Sequence, residues 1–246
     1  SKPRNNRYLS QSATSALFDG RGDTSKQVRS LAGDQLSDRV GTDSLALLDQ
    51  ASREAASPNA RVHSLWTIYR LGGIDDSQIA SAMKDESPLV RQHAMRIVSE
   101  LASHSSDIVQ LAVTGLRDEN ALVRRAAADA AGRHVESTFI APLLRVLSET
   151  PEEDVHLKHS VMIALKSQLR AHDAFAQLEG LALNKAERAS VAQVALAVPT
   201  ADAATFLLKT LQSSAVDGEA SKAQLSHIVS YAAAESLDSI VELVKT

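Results

Sequence analysis

His156 and His159 stand three residues apart on what reads as one helix, with His172 following downstream. Two imidazoles on one helical face can hold zinc, which takes four ligands in a tetrahedron. A site here would need a third ligand and a shaped cavity, and no HExxH motif supplies them. These histidines are therefore read as solvated surface groups. His63 and His93 sit at the same position in adjacent copies of a repeated segment. That equivalence points to a shared structural role, such as a cap or an inter-helix hydrogen bond, because a catalytic pair needs no repeat symmetry. Arg21-Gly22-Asp23 spells an integrin tripeptide inside the loop-rich stretch Gly20 to Lys26. Three-residue matches arise by chance, and the stretch lacks the spacing of a phosphate-binding loop and follows no strand. The chain has no cysteine, which excludes disulfides, thiolate catalysis, thioether-linked haem and Cys-type zinc sites. No residue set is expected to be catalytic, to hold a metal or to bind a cofactor, and the chain is not expected to be an enzyme.

The elements that carry these residues repeat. Ser57-Pro58-Asn59-Ala60-Arg61-Val62-His63 is echoed by Ser87-Pro88-Leu89-Val90-Arg91-Gln92-His93, then by Asn120-Ala121-Leu122-Val123-Arg124-Arg125, and more loosely by Asp154-Val155-His156-Leu157-Lys158-His159. With weaker copies, a basic marker falls at 61, 91, 124, 158, 188 and 222, giving spacings of 30, 33, 34, 30 and 34. That is the length of a two-helix unit. Within a unit the apolar period is helical: Val90, Ala94, Ile97, Val98 and Leu101 share one face. Ser87 with Pro88 marks a helix start, Gly72-Gly73 a helix stop, and Asp75 or Asp76 the next cap. The helices are expected in pairs at 43–55 with 59–71, 76–84 with 88–103, 106–117 with 121–134, 138–149 with 154–170, 172–183 with 186–197 and 202–213 with 220–234. A last helix covers 236–245, and earlier ones cover 25–39 and Arg7 to Phe18. The fold class is all-α, a right-handed α-α superhelix of about six to seven helical pairs. It is read as one domain over 1–246, with a helix and loop at 1–24 and repeats from 25.

Composition bounds the function. The chain has 246 residues, 44% of them apolar, and a net charge of −4. That apolar share excludes a disordered chain, and the negative balance argues against a general nucleic-acid binder. No apolar run reaches the roughly 18 residues that span a bilayer. No positive-then-apolar leader opens the chain, so it is expected to be mature or cut from something longer. Alanine, at 39 residues, suits helices that approach closely.

These residues resemble HEAT repeats of the short bacterial kind. The marker that carries the resemblance is an aspartate six residues before an arginine at the start of the second helix: Asp85 before Arg91, and Asp118 before Arg124. Glu152 and Lys158 keep the charges only, and the acidic residue is missing before 61, 188 and 222. The resemblance implies that Asp85, Arg91, Asp118 and Arg124 form a structural ladder linking successive repeats. If exposed, each pair contributes about 0–1 kcal/mol. Arg61 to Asp75 and Lys84 to Arg96 look more narrowly like the HEAT segment of large extracytoplasmic bacterial proteins. In those, a propeller domain of the membrane-bound-dehydrogenase type precedes and a cytochrome-c-like domain often follows. The resemblance then implies a periplasmic or extracytoplasmic spacer, with the cytoplasm as the alternative.

Aligning the second helices exposes one further stripe: Val62, Trp66 and Tyr69; Gln92, Arg96 and Ser99; Arg125, Asp129 and Gly132; His159, Ile163 and Lys166. In solenoids the second helices line the concave, partner-binding side, and Trp, Tyr and Arg are enriched at binding hot spots. Val62, Trp66, Tyr69, Gln92, Arg96, Arg125, His159 and Lys166 are therefore the candidate partner-binding residues, with packing of Trp66 and Tyr69 against the preceding helix 25–39 or a neighbouring domain as the alternative. The expected function is a non-catalytic protein–protein interaction scaffold or spacer, its partner another protein or a neighbouring domain, without nucleic acid or membrane insertion. The alternatives are a bilin-lyase-like or DNA-binding accessory protein. The C-terminal Leu237, Ile240, Val241, Leu243 and Val244 would cap the array or join two copies.

Overall fold

The computed structural model describes residues 34, 41–171, 173–213 and 219–245. The expected helices at 7–18 and 25–39, the Gly20 to Ser25 loop with Arg21-Gly22-Asp23, and His172 lie outside these residues, residue 34 apart. Among the described residues there are thirteen α-helices and no strand. They are α1 (Leu45–Glu54), α2 (Pro58–Arg70), α3 (Asp76–Ala82), α4 (Pro88–Glu100), α5 (Ser106–Gly115), α6 (Ala121–Arg133), α7 (Ile140–Glu149), α8 (Val155–Leu169), α9 (Ala174–Glu179), α10 (Lys185–Ala195), α11 (Ala201–Ser213), α12 (Glu219–Tyr231) and α13 (Leu237–Lys245). The chain is an all-α helical repeat of the solenoid type, and its pairs fall where the repeat spacing places them. Among the described residues no helix is long and apolar enough to cross a membrane.

Local chemistry sets the helix ends. Pro58 and Pro88 open α2 and α4, where the missing N–H costs nothing. The Asp75 carboxylate accepts from the Gln78 N–H while the Gln78 side chain accepts from the Asp75 N–H, a reciprocal capping box that starts α3. Asn184 and Glu187 start α10 in the same way. Helix α2 stops because Gly72 adopts φ +70°, which lets the Gly72 and Gly73 N–H groups bond back to Tyr69 and Ile68.

Two compact units divide the chain, residues 1–130 and 131–246. In the first, α1 packs on α2, first helices follow one another as α1, α3 and α5, and α2 packs on α4. Leu48 and Ile68 close the first pair, with Leu45, Leu71 and Ile74 around them. Val90, Ala94, Ile97 and Val98 of α4 are fully buried, as their period requires. Each large one contributes about 1.5–3 kcal/mol through removal from water. Ala126, Ala127, Ala128 and Ala130 are buried on α6, where small side chains allow close approach.

In the second unit α7 packs on α8, α8 on α10, α9 on α11, and α11 on α12. A Cβ on Gly132 would stand 3.3 Å from the Ala164 backbone, a tight approach that would push the two helices apart by a few tenths of an ångström. Of the C-terminal apolar residues, Ile240 is buried while Leu237 and Val241 are exposed. The side chains of Leu243 and Val244 lie outside the described residues.

Candidate interaction surface

Helix α2 turns Trp66 and Tyr69 toward α4. The Trp66 indole N–H donates to His93 Nδ1 at 2.9 Å, and the Tyr69 hydroxyl donates to the Glu100 carbonyl at 2.9 Å. The Trp66 ring meets Tyr69 and His93 edge-on, with centroids 5.6 and 6.2 Å apart, a favourable quadrupole arrangement. Trp66, Tyr69 and His93 are all half-buried. The aromatic pair therefore ties two successive second helices together. The His93 ring is an acceptor here and stays neutral: burial and the nearby Arg96 charge push its pKa down to about 4.

The rest of the expected stripe in this unit divides by burial. Val62 is 5% exposed and belongs to the core, not to the surface. Its neighbours explain this: Arg61 and Leu65 of the same helix are also buried, so α2 is covered over a wider arc than its apolar face alone. Ser99 is buried too, and its hydroxyl donates to the Arg96 carbonyl. Gln92 is half-buried, and Arg96, Arg125 and Asp129 are exposed.

The arginine–aspartate pairs lie elsewhere than their spacing in sequence implies. Arg61 Nε and Nη2 donate to the two Asp85 carboxylate oxygens at 2.7 and 2.9 Å. Arg91 does the same to Asp118, at 2.7 and 3.0 Å. Each arginine thus grips the aspartate of the following repeat, not the one six residues before it. Nη1 serves its own repeat: that of Arg61 donates to the Ala55 carbonyl, that of Arg91 to Asp85 and Glu86, and that of Arg124 to Asp118 and Glu119. Each aspartate also accepts from a backbone N–H of its own turn, Ser87 for Asp85 and Asn120 for Asp118. Arg61, which has no acid six residues before it, is fully paired. These groups are not exposed: the Arg91 and Asp118 side chains are 9% and 10% accessible. Burial pushes the Asp118 carboxyl up, but the Arg91 and Asn120 hydrogen bonds more than reverse this and hold it below its ordinary value. Hydrogen bonding to Asp118 raises Arg91 correspondingly.

In the second unit the marker changes character. Lys158 pairs with Glu152 of its own repeat at 2.5 Å, and the glutamate is almost fully exposed. An ammonium lacks the planar fork that grips both carboxylate oxygens. On α8, His156, His159 and Ile163 are exposed and Lys166 is half-buried. Among the described residues no three His, Asp or Glu side chains gather as a metal site. A cleft of about 180 Å³ opens between α9 and α11, lined by Asp173, Phe175, Glu179, Asp202, Thr205 and Phe206. The Lys209 ammonium pairs with Glu179 at its edge.

Two successive second helices thus start with a bidentate arginine that reaches the next repeat. Residues 77–158 match HEAT repeats. No curated protein matches the chain. Among solved structures, that of the Escherichia coli protein YibA is similar over 91% of this chain and 95% of that one, at 16% identity and a TM-score of 0.38. HEAT repeats generally mediate protein–protein interaction.

Gln168 is a structural residue that the sequence conceals. It is 1% exposed; its amide donates to the Ala131 and His134 carbonyls at 2.5 and 3.2 Å, and its oxygen accepts from the Glu136 N–H at 2.9 Å. It closes the end of α6 from a position in α8 that reads as an ordinary polar residue. Only its place on the buried face, one turn beyond Ala164 and Leu165, hints at this role.

Proposed function

We propose that the chain is a non-catalytic scaffold or spacer that docks other proteins, or neighbouring domains of a parent protein, on the second-helix face of its HEAT repeats. One observation carries this reading. In residues 58–130 the Trp66–His93 and Tyr69–Glu100 hydrogen bonds tie successive second helices together, while Arg96 and Arg125 on α4 and α6 stay exposed and have no ion-pair partner among the described residues. Held helices carrying free arginines make a pre-ordered surface, which lowers the entropy cost of association. The histidines at 63 and 93 fit this reading better than catalysis, since His93 uses its Nδ1 lone pair on Trp66. The resemblance of residues 61–96 to extracytoplasmic multidomain proteins extends the proposal to a periplasmic or extracytoplasmic setting.

Affinity capture from a native extract, with partners identified by mass spectrometry, tests the reading. Wild type is run beside Arg96→Glu/Arg125→Glu, after circular dichroism shows equal helicity and melting. A protein captured by the wild type and lost from the variant is the expected result. Equal capture by both would remove this face from the function.

A further inference from the structure

The second-helix face of residues 58–130 is rich in hydrogen-bond donors. Trp66 fixes much of this chemistry. Because its indole N–H is donated to His93 Nδ1, the neutral His93 ring carries its proton on Nε2. No acceptor among the described residues meets that N–H. Three residues further along α4 stands Arg96, exposed and close enough for its charge to oppose protonation of His93. Arg125 is exposed on α6 at the position that Gln92 holds on α4, and Gln92 adds a half-buried amide. Against these donors stand two exposed carboxylates, Asp129 four residues after Arg125 and Glu100 four residues after Arg96.

Resting on the docking reading above, we propose that this face takes an acidic segment of a protein partner. Arg96 and Arg125 receive its carboxylates, and the His93 Nε2–H donates to a further carboxylate or backbone carbonyl beside Arg96. Electrostatic complementarity of this kind sets partner choice and association rate. Nucleic acid fits less well. Two arginines release about two counterions, so affinity would change only about twelvefold between 50 and 200 mM salt, far short of a protein making 6–10 phosphate contacts. Asp129 and Glu100 also oppose a uniformly charged backbone, whereas a peptide can place a neutral or basic residue against them.

Trp66 is the one tryptophan of the chain, so its emission reports this face directly. The full chain is titrated with a glutamate-serine peptide, with the matching glutamine-serine peptide and with single-stranded oligo-thymidine. The expected result is a saturable change in Trp66 emission with the glutamate peptide, weakened about tenfold or more for the glutamine peptide and for Arg96→Gln/Arg125→Gln protein of unchanged helicity and melting. No saturable change, equal affinity for both peptides, or tighter binding of oligo-thymidine would each overturn the proposal. Failure here with successful capture through Arg96 and Arg125 would overturn the acidic chemistry and leave the docking face standing. Failure of both would remove both.

Discussion

Residues 58–130 and residues 131–245 solve the same problem by different means. Each must hold stacked helix pairs in register. The first unit does it with charge taken out of water: Arg61 on Asp85 and Arg91 on Asp118, each with both carboxylate oxygens engaged and the guanidinium also serving a backbone turn. The second unit leaves its carboxylates outside, as in Glu152 with Lys158 and Glu179 with Lys209. It relies instead on a buried amide, Gln168, on the tilted Phe175 and Phe206 pair at 5.6 Å, and on apolar packing. The difference teaches that a repeated marker marks a position, not an interaction. When arginine becomes lysine, the fork is lost and the pair moves to the surface.

The largest effect should follow from breaking one buried pair. Arg91→Ala leaves the Asp118 carboxylate without its main partner and two turn carbonyls unserved, and should cost about 3–5 kcal/mol in urea unfolding. Arg91→Met/Asp118→Leu should recover most of that loss, because removing both charges also removes the cost of burying them. A loss below about 1 kcal/mol for Arg91→Ala would mean that the ladder does not hold the first unit.

Gln168→Ala comes next, at about 1–3 kcal/mol, since it strands buried carbonyls and one N–H. Hydrogen exchange should quicken at the end of α6 and the start of α7 and remain unchanged over residues 58–110. Faster exchange across the first unit would erase the distinction between the two regions.

Acid should weaken the first unit through His93. Its pKa is about 4 in the folded chain, against about 6.5 when unfolded. The unfolded state therefore binds the proton first, and stability that is full above pH 6.5 is lost as pH falls toward 4. With the ring only half-buried and the shift discounted for solvent screening, the loss is about 1–2 kcal/mol. His93→Phe should flatten that slope, read from Trp66 emission in urea at pH 7, 5.5 and 4.5. An unaltered slope would place the acid sensitivity elsewhere.

The smallest effect is expected at the second unit's surface. Arg145→Ala removes an exposed pair with Glu149 and should change stability by less than about 0.5 kcal/mol.

Helices α2, α3 and α4 are legible in the sequence because their ends carry signals: Pro58 and Pro88 open, Asp75 caps, Gly72 closes. Val62 was not legible as core, because the width of the buried arc on α2 depends on what packs against it. The Arg–Asp register was not legible either. Asp85 and Arg91 are close in the chain, but the carboxylate faces the preceding repeat, and only the stack brings Arg61 to it. Trp66 and Tyr69 hydrogen-bond to α4, the next second helix, a packing partner other than the preceding helix 25–39 or neighbouring domain that the sequence offers for them. The free arginines beside them follow from the same register, which periodicity does reveal.

Site-specific photo-crosslinking tests the central claim most directly. A photoreactive residue is placed at Gln92 on second helix α4, or at exposed Gln110 on first helix α5, and the chain is incubated with native extract. The account predicts a discrete crosslinked protein from position 92, diminished by Arg96→Glu/Arg125→Glu, and none of that species from position 110. The same species from position 110, or its persistence in the variant at position 92, would contradict a second-helix docking face.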